Sequence, residues 1–338
     1  APADRGGSGA EASDGSRAAA ARRPALSDSA LLAEAATRAA LLPRLKGVLV
    51  SQDGRIVLDR TFRGSGPGAR TNVKSVSKTI LATLVGIAIE RGELQGEEQT
   101  VASVLPEHFG PGTDPRKRSI TLGHLLSMTS GLETTSFQNY GAWVSSRNWV
   151  RAALEQPLVA EPGTEMIYST GSTHVLSAVL TRATGVSTLE YANRHLGEPL
   201  GIRIRPWQRD PQGIYFGGND MYLSPRDLLR FGELFLNGGM DGDRQVVPRR
   251  WIEASFAPRG ESGWSGHRYG YGWWMRESGG RRVYFAWGYG GQYVFVVPEL
   301  ELAAVFTSES EGPRAPGHLP AIHALLDEYL VPAAEPGG

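Results

Sequence analysis

Asn72-Val73-Lys74-Ser75-Val76-Ser77-Lys78-Thr79 opens the most apolar helical stretch of the chain, and its reading decides the fold. From Ser75 to about Arg91 the apolar residues Ile80, Leu81, Leu84, Val85, Ile87, Ala88 and Ile89 run around more than one face, which predicts a helix buried nearly all round. Ser75 stands at its start and Lys78 follows three residues later, so both side chains share one face. A serine hydroxyl is a poor nucleophile until a base takes its proton. Lysine can be that base when its neutral amine is populated. Burial disfavours the ammonium, and the positive end of the helix dipole adds to that. The same helix end can aim backbone N–H groups at a developing oxyanion. The plainer alternative is a capping serine with a surface lysine. Placement favours chemistry: of the four lysines, Lys46, Lys74, Lys78 and Lys117, only Lys78 has a serine three residues before it.

Outward from this helix the chain divides by pattern. Residues 1–26 are small, polar or Arg with almost no large apolar side chain, and are expected to form a disordered leader. Ser27, Asp28 and Ser29 offer N-caps for an amphipathic helix through about Leu42. Gly47 to Ser51 and Arg55 to Asp59 flank Asp53-Gly54, the signature of a tight hairpin. After the Gly-rich loop from Gly64 to Arg70 and the Ser75 helix, short helices are predicted at Thr121 to Met128, Trp143 to Leu154, Thr173 to Thr184, Thr188 to Leu196 and Pro225 to Leu236. Strands follow at Tyr271 to Arg276, Val283 to Ala286, Tyr293 to Val297 and Ala303 to Thr307, then a helix from Leu319 to Leu330.

Strands at both ends with helices between predict an α+β fold: one antiparallel sheet flanked by helices, with a mostly helical insertion. The expected division is a sheet unit from 27–72 and 240–332 and a helical unit from 73–239, forming one catalytic unit. The first and last helices would cover one face of the sheet and the Ser75 helix the other.

Composition narrows the function classes. The 338 residues carry zero formal net charge, so no bulk attraction to nucleic acid or an anionic membrane is expected. The absence of cysteine excludes disulfides, thiolate catalysis and zinc–thiolate sites. No apolar run approaches a membrane span. The sequence starts Ala-Pro-Ala-Asp without an initiator Met, as after signal-peptide removal, so export to the periplasm or beyond is expected; a trimmed cytoplasmic chain would look the same. No P-loop, dinucleotide fingerprint or Gly-x-Ser-x-Gly elbow occurs. No two histidines have metal-ligand spacing, and neither metal nor cofactor is expected. His174 is expected to pack on its helix, and His318 and His323 to lie on the surface.

Two more segments can carry chemistry. In Glu165-Met166-Ile167-Tyr168-Ser169-Thr170-Gly171, Tyr168 either packs or, beside a Ser–Lys pair, shuttles a proton. Phe285-Ala286-Trp287-Gly288-Tyr289-Gly290-Gly291-Gln292 reads either as a tight hairpin or as an edge strand whose glycines let substrate approach the backbone.

The ordered set Ser-x-x-Lys, Tyr-Ser-x and Gly-rich strand turn resembles class C β-lactamases and their esterase, peptidase and amide-hydrolase relatives within the penicillin-binding-protein superfamily. Ile120 to Leu132, Leu223 to Leu228 and Val297 to Leu302 also match family patterns, so the resemblance covers about residues 28 to 330. It implies Ser75 as nucleophile, Lys78 as activating partner and Tyr168 as general base or shuttle. The amides of Ser75 and Tyr289 would form the oxyanion hole, and Thr170, Trp287, Gly288 and Tyr289 would meet substrate. Two departures stand out. Thr170 replaces the family's Asn, and Ala286-Trp287-Gly288 replaces Lys-Thr-Gly, removing the cation that helps hold a β-lactam carboxylate. The Gly-Tyr-Gly-Gly-Gln segment is similar to the branch holding esterases and 6-aminohexanoate-dimer hydrolases, with Trp287 and Tyr289 as an aromatic mouth.

The expectation is therefore a serine hydrolase of small esters or amides. A β-lactamase or D-Ala-D-Ala carboxypeptidase is the alternative, and a non-catalytic binding module of the same fold a third.

Overall fold

The computed structural model describes residues 28–313 and 315–335. The leader expected over 1–26 lies outside them. The first helix, Ser29–Ala40, starts where Asp28 accepts hydrogen bonds from the amides of Ala30 and Leu31, and buries Leu32, Ala35 and Ala39 on one stripe. Strands β1 (Leu45–Gln52) and β2 (Arg55–Thr61) form the expected hairpin. Asp53 and Gly54 both take positive φ, 50° and 70°, as the two-residue turn demands.

The short strands β3 (Thr71–Asn72) and β4 (Tyr222–Leu223) pair with each other, and β5 (Met240–Asp241) pairs with β6 (Arg244–Gln245). The C-terminal run supplies β7 (Gly260–Glu261), β8 (Arg268–Tyr269), β9 (Trp274–Ser278), β10 (Arg281–Gly288), β11 (Gln292–Val297) and β12 (Leu302–Ser308). One eight-stranded sheet results, in the order β2-β1-β12-β11-β10-β9-β8-β7. Its pairings are antiparallel, and β1 beside β12 joins the two ends of the chain. The α+β class and the flanking helices are thus as expected.

Both faces are covered, so the central strands read as continuous apolar runs instead of alternating ones. On one face Leu32, Ala35 and Ala39 of the first helix and Ile322 and Leu325 of the helix His318–Leu325 pack with Val283, Phe285, Tyr293 and Phe295. On the other, the helix Val76–Glu90 packs against Tyr284, Ala286, Val294 and Val296. Val76 through Ala88 are all buried there, which explains why its apolar residues follow no single stripe. Truncating Leu84, which is fully buried, would cost about 2–5 kcal/mol.

Several boundaries differ from expectation for identifiable reasons. The stretch Trp143 to Leu154 is two helices, Tyr140–Val144 and Trp149–Glu155, because Asn148 caps the second with a 2.9 Å bond from the Arg151 amide. β9 starts at Trp274, not Tyr271, because Gly272 (φ 79°) turns the chain onto the Ser75 helix, where Thr79 Oγ1 donates to its carbonyl at 2.6 Å. The two-residue strands β7 and β8 are too short to show a period. β10 is an interior strand and not the expected edge, yet its pairing with β9 ends at Phe285–Trp274. Ala286 to Gly288 run on beside β11 alone, which leaves a local edge at the segment of interest.

Candidate active site

The backbone ahead of Ser75 is held before the helix begins. Val73 N donates to Met221 O at 2.9 Å, and Asn72 Nδ2 donates to Asp220 Oδ1 at 2.7 Å. Asn72 Oδ1 in turn accepts the Lys74 amide at 2.9 Å. Lys74 sits at φ 51°, an unusual conformation for a residue with a side chain, and turns the chain into the helix. Ser75 takes the N-cap position but makes no capping bond with its side chain. Lys78 is 1% exposed. Neither half of the plainer reading, capping serine and surface lysine, describes this pair.

Lys78 Nζ lies 3.0 Å from Ser75 Oγ and donates to the carbonyl of Gly218 at 2.6 Å. Burial brings its amine down to about 7. Tyr168 approaches from the other side, its ring centroid 5.1 Å from Nζ and its hydroxyl hydrogen-bonded to Ser75. Burial pushes this phenol up to about 12, against the opposing effect of that bond. Burial thus favours the uncharged form of both groups.

Three hydroxyls in a row, Thr134, Thr135 and Ser136, zip the Tyr168 segment into place. Thr134 Oγ1 donates to Tyr168 O at 2.6 Å, and Ser169 Oγ lies 2.9 Å from Thr135 Oγ1. Ser136 Oγ accepts the Thr170 amide at 2.9 Å and lies 2.8 Å from Thr170 Oγ1. Thr170, expected at the substrate, is 5% exposed with its hydroxyl so engaged. The amine's second contact is thus a backbone carbonyl and not the side chain of residue 170.

The local edge of β10 closes the other side. A Cβ at Gly288 would lie 2.3 Å from Val73 O, so only glycine lets this strand run against the backbone before Ser75. Tyr289 follows, about half exposed. Trp287 packs between Trp264 (5.3 Å), Trp274 (5.6 Å) and Tyr293 (5.9 Å, stacked). Trp264 also reaches Tyr168 at 6.5 Å and Phe137 at 5.8 Å, and Phe137 meets Tyr168 at 6.1 Å. Phe137 is 55% and Trp264 53% exposed, so the rings form a wall beside Tyr168 that is open to solvent.

Sequence reading missed Phe137, Trp264, Trp274, the Thr134–Ser136 zip and the Gly218 carbonyl. Trp264 alone left a signal, as a large apolar residue between Gly263 and Gly266 in a loop. Arg281 and Arg282 stand at the far end of β10 from Gly288, about 20 Å away along an extended strand. Arg281 forks Glu335 at 2.9 and 2.8 Å, and Arg282 pairs with Glu299 at 3.2 Å.

His318 and His323 differ from expectation, whereas His174 packs on its helix as expected. His318 is buried, 3.0 Å from Ser308 Oγ, and does not lie on the surface. His323 packs on Phe285, Tyr293 and Phe295, and burial brings it down to about 3. His174 is fully buried on its helix and pairs with Asp210 at 2.9 Å. Among the described residues no group of His, Asp or Glu could hold a metal ion, and no helix is long and apolar enough to cross a membrane.

Against this geometry stand the comparisons with known proteins. The family model described as Beta-lactamase matches residues 43–327. A 6-aminohexanoate-dimer hydrolase of Paenarthrobacter ureafaciens is 28% identical over 221 residues, 62% of this chain and 56% of that protein. The esterase EstB of Burkholderia gladioli is 28% identical over 207 residues, 57% of this chain and 52% of that protein. The chain thus spans about half the length of these curated relatives. Among solved structures, the octameric penicillin-binding protein homologue of Pyrococcus abyssi superposes with a TM-score of 0.67 at 19% identity, over 87% of this chain and 75% of that one.

Proposed function

The chain belongs to the β-lactamase family, and from that premise we propose that it is a serine hydrolase forming an acyl-enzyme through Ser75 on small carboxylic esters or amides. The observation that carries the proposal is the 3.0 Å approach of Ser75 Oγ to a lysine amine that is 1% exposed. With its amine near 7, an appreciable fraction of Lys78 is neutral at physiological pH and can accept the serine proton.

In this mechanism the Ser75 proton passes to Lys78 Nζ as Oγ attacks the substrate carbonyl carbon. The amides of Ser75 and Tyr289 receive the oxyanion. Tyr168, a phenol at neutral pH, gives its proton to the leaving oxygen or nitrogen and regains one from the Lys78 ammonium. The carbonyl reforms as the acyl–Ser75 ester. Water then attacks that ester, giving its proton to the same Lys78–Tyr168 pair, which returns it to Ser75 Oγ as the acyl–oxygen bond breaks and the carboxylic acid leaves. Lys78 is the principal base in this scheme and Tyr168 the relay.

Substrate class follows from what lines the open side. A carboxylate entering a partly buried cleft needs a partner to replace its hydration. Ala286 supplies none, Arg281 and Arg282 are engaged elsewhere, and Lys74 lies 3.3 Å from Glu311. The exposed rings of Phe137 and Trp264 offer flat apolar surface to a neutral acyl chain or aromatic leaving group. The relatives' names, an esterase and a 6-aminohexanoate-dimer hydrolase, support this choice.

Intact-mass spectrometry after fluorophosphonate tests the core of the proposal. One adduct is expected, on the peptide containing Ser75; an adduct on another serine would overturn it. No turnover of any activated ester, with Ser75 unlabelled, would favour a binding module.

A further inference from the structure

A neutral amine has one lone pair and two N–H bonds. For Lys78 to take the Ser75 proton, the lone pair must face Oγ, so its N–H bonds must point elsewhere. The acceptor that fixes one of them is the Gly218 carbonyl, 2.6 Å from Nζ. Whatever holds this carbonyl in place therefore aims the base.

Gly218 has no freedom on the side of the amine. A Cβ there would lie 2.6 Å from both Thr170 Cγ2 and Thr173 Oγ1, and 3.1 Å from Lys78 Nζ. The loop behind it, residues 207–220, is tied at two points. Trp207 Nε1 donates to Phe216 O at 2.7 Å and to Asn219 O at 3.2 Å, the carbonyls on either side of Gly217-Gly218. Asp210 accepts the amides of Gln212 and Ile214 at 2.8 and 2.9 Å, and its second oxygen accepts His174 Nε2–H at 2.9 Å. Both partners of the His174–Asp210 pair have fully buried side chains. His174 is walled by Trp143 (5.8 Å), Trp149 (5.5 Å) and Phe216 (5.8 Å). A dry carboxylate–imidazole pair is costly to bury, and this one touches no substrate surface.

We propose that His174, Asp210 and Trp207 are positioning residues, which lock the 207–220 loop so that the Gly218 carbonyl directs the Lys78 amine onto Ser75. The proposal rests on the reading that Lys78 accepts the Ser75 proton. The titratable group facing Lys78 from another element is Tyr168, and the one facing His174 is Asp210. The carbonyl also stabilises the ammonium form of Lys78, so loosening the loop lowers both the acylation rate and the pH at which the amine titrates.

The test measures single-turnover acylation by p-nitrophenyl butyrate against pH in His174→Phe, His174→Gln and Trp207→Phe, with folding checked by circular dichroism. His174→Phe keeps a ring in the aromatic cage and removes the donor; Trp207→Phe keeps an aromatic ring but removes the indole N–H together with part of the buried ring volume. Each should slow acylation about tenfold or more, as small misplacements of catalytic groups do, with KM changed less than about twofold. The acid limb should also move to lower pH. His174→Gln, which keeps a donor for Asp210, should recover most of the rate and the limb. A limb left in place, with rate lost only in proportion to unfolded protein, overturns the proposal. Should His174→Phe fail to fold, Trp207→Phe alone decides. Lys78→Ala separates the two levels: near-normal acylation there removes the underlying reading, whereas a dead Lys78→Ala beside unaltered loop variants removes only this inference.

Discussion

The two walls of the Ser75 cleft are built on opposite principles. On the Lys78 side, hydrogen bonds tie Lys78 to Gly218 O, Thr170 to Ser136 and Ser169 to Thr135, and Lys78 and Thr170 are 1% and 5% exposed. On the β10 side, Phe137, Trp264, Trp274 and Trp287 touch ring to ring, and Phe137 and Trp264 are more than half exposed. Hydrogen bonds fix distance and direction, whereas ring contacts of this kind tolerate sliding. The first wall therefore sets proton geometry, and the second sets which groups are welcome. Damage to the first should appear in rate with any substrate; damage to the second should appear in the ratio between substrates.

The largest effects belong to the polar wall. Lys78→Ala and Tyr168→Phe should each slow acylation by p-nitrophenyl butyrate by about 10²–10⁴-fold, the usual worth of a positioned acid or base, with little change in thermal midpoint for Tyr168→Phe. Near-normal turnover in Tyr168→Phe would reduce it to packing and redraw the boundary between the walls. The pH profile follows from the same amine. Lys78 accepts a proton only as the neutral form, so log kcat/KM should fall with unit slope below a pKa near 7 and level above it. A profile flat from pH 5 to 8 would contradict the role of this amine.

Smaller effects belong to the aromatic wall. Phe137→Ala and Trp264→Ala should lower the preference for p-nitrophenyl butyrate over the acetate about three- to tenfold, corresponding to roughly 0.5–1.5 kcal/mol of ring contact. Equal loss on both esters would mean that the rings shape the site and do not select. Wild-type kcat/KM should favour p-nitrophenyl butyrate over nitrocefin by at least about tenfold, or about 1.4 kcal/mol. Arg281→Ala and Arg282→Ala should leave that ratio within about twofold, since exposed ion pairs far from the cleft contribute little. A preference for nitrocefin would show that some cation has replaced the missing lysine, and would move the chain toward the β-lactamases proper.

Legibility in the sequence followed the same division. Local rules sufficed where a residue type has one meaning: Asp53-Gly54 for the hairpin, Asp28 for the first cap, and Ser75 with Lys78 one turn on. The Ser–Lys–Tyr order could be read because each member is a side chain. The Gly218 carbonyl could not, since a backbone acceptor leaves no letter beyond the glycine that admits it. Phe137 and Trp264 come from loops more than 120 residues apart in sequence, and only the tertiary fold brings them to one cleft. His318 and His323 read as exposed side chains, yet His318 is buried beside Ser308 and His323 is half-buried against the aromatic rings of the sheet. The break at Asn148 was legible in principle, because an Asn before an apolar run is a helix start.

Burying Lys78 also makes folding itself a proton-release reaction. In the unfolded chain this lysine holds its proton up to about pH 10.4. In the folded chain it gives the proton up near 7. Below pH 7 both states carry the charge, and the folded state bears the full cost of keeping it out of water. Between about 7 and 10.4 the unfolded state binds one more proton than the folded state, so this residue's contribution to stability improves steadily as pH rises. The same amine thus ties two curves together. The pH at which the catalyst awakens is also the pH at which its core begins to shed an electrostatic burden.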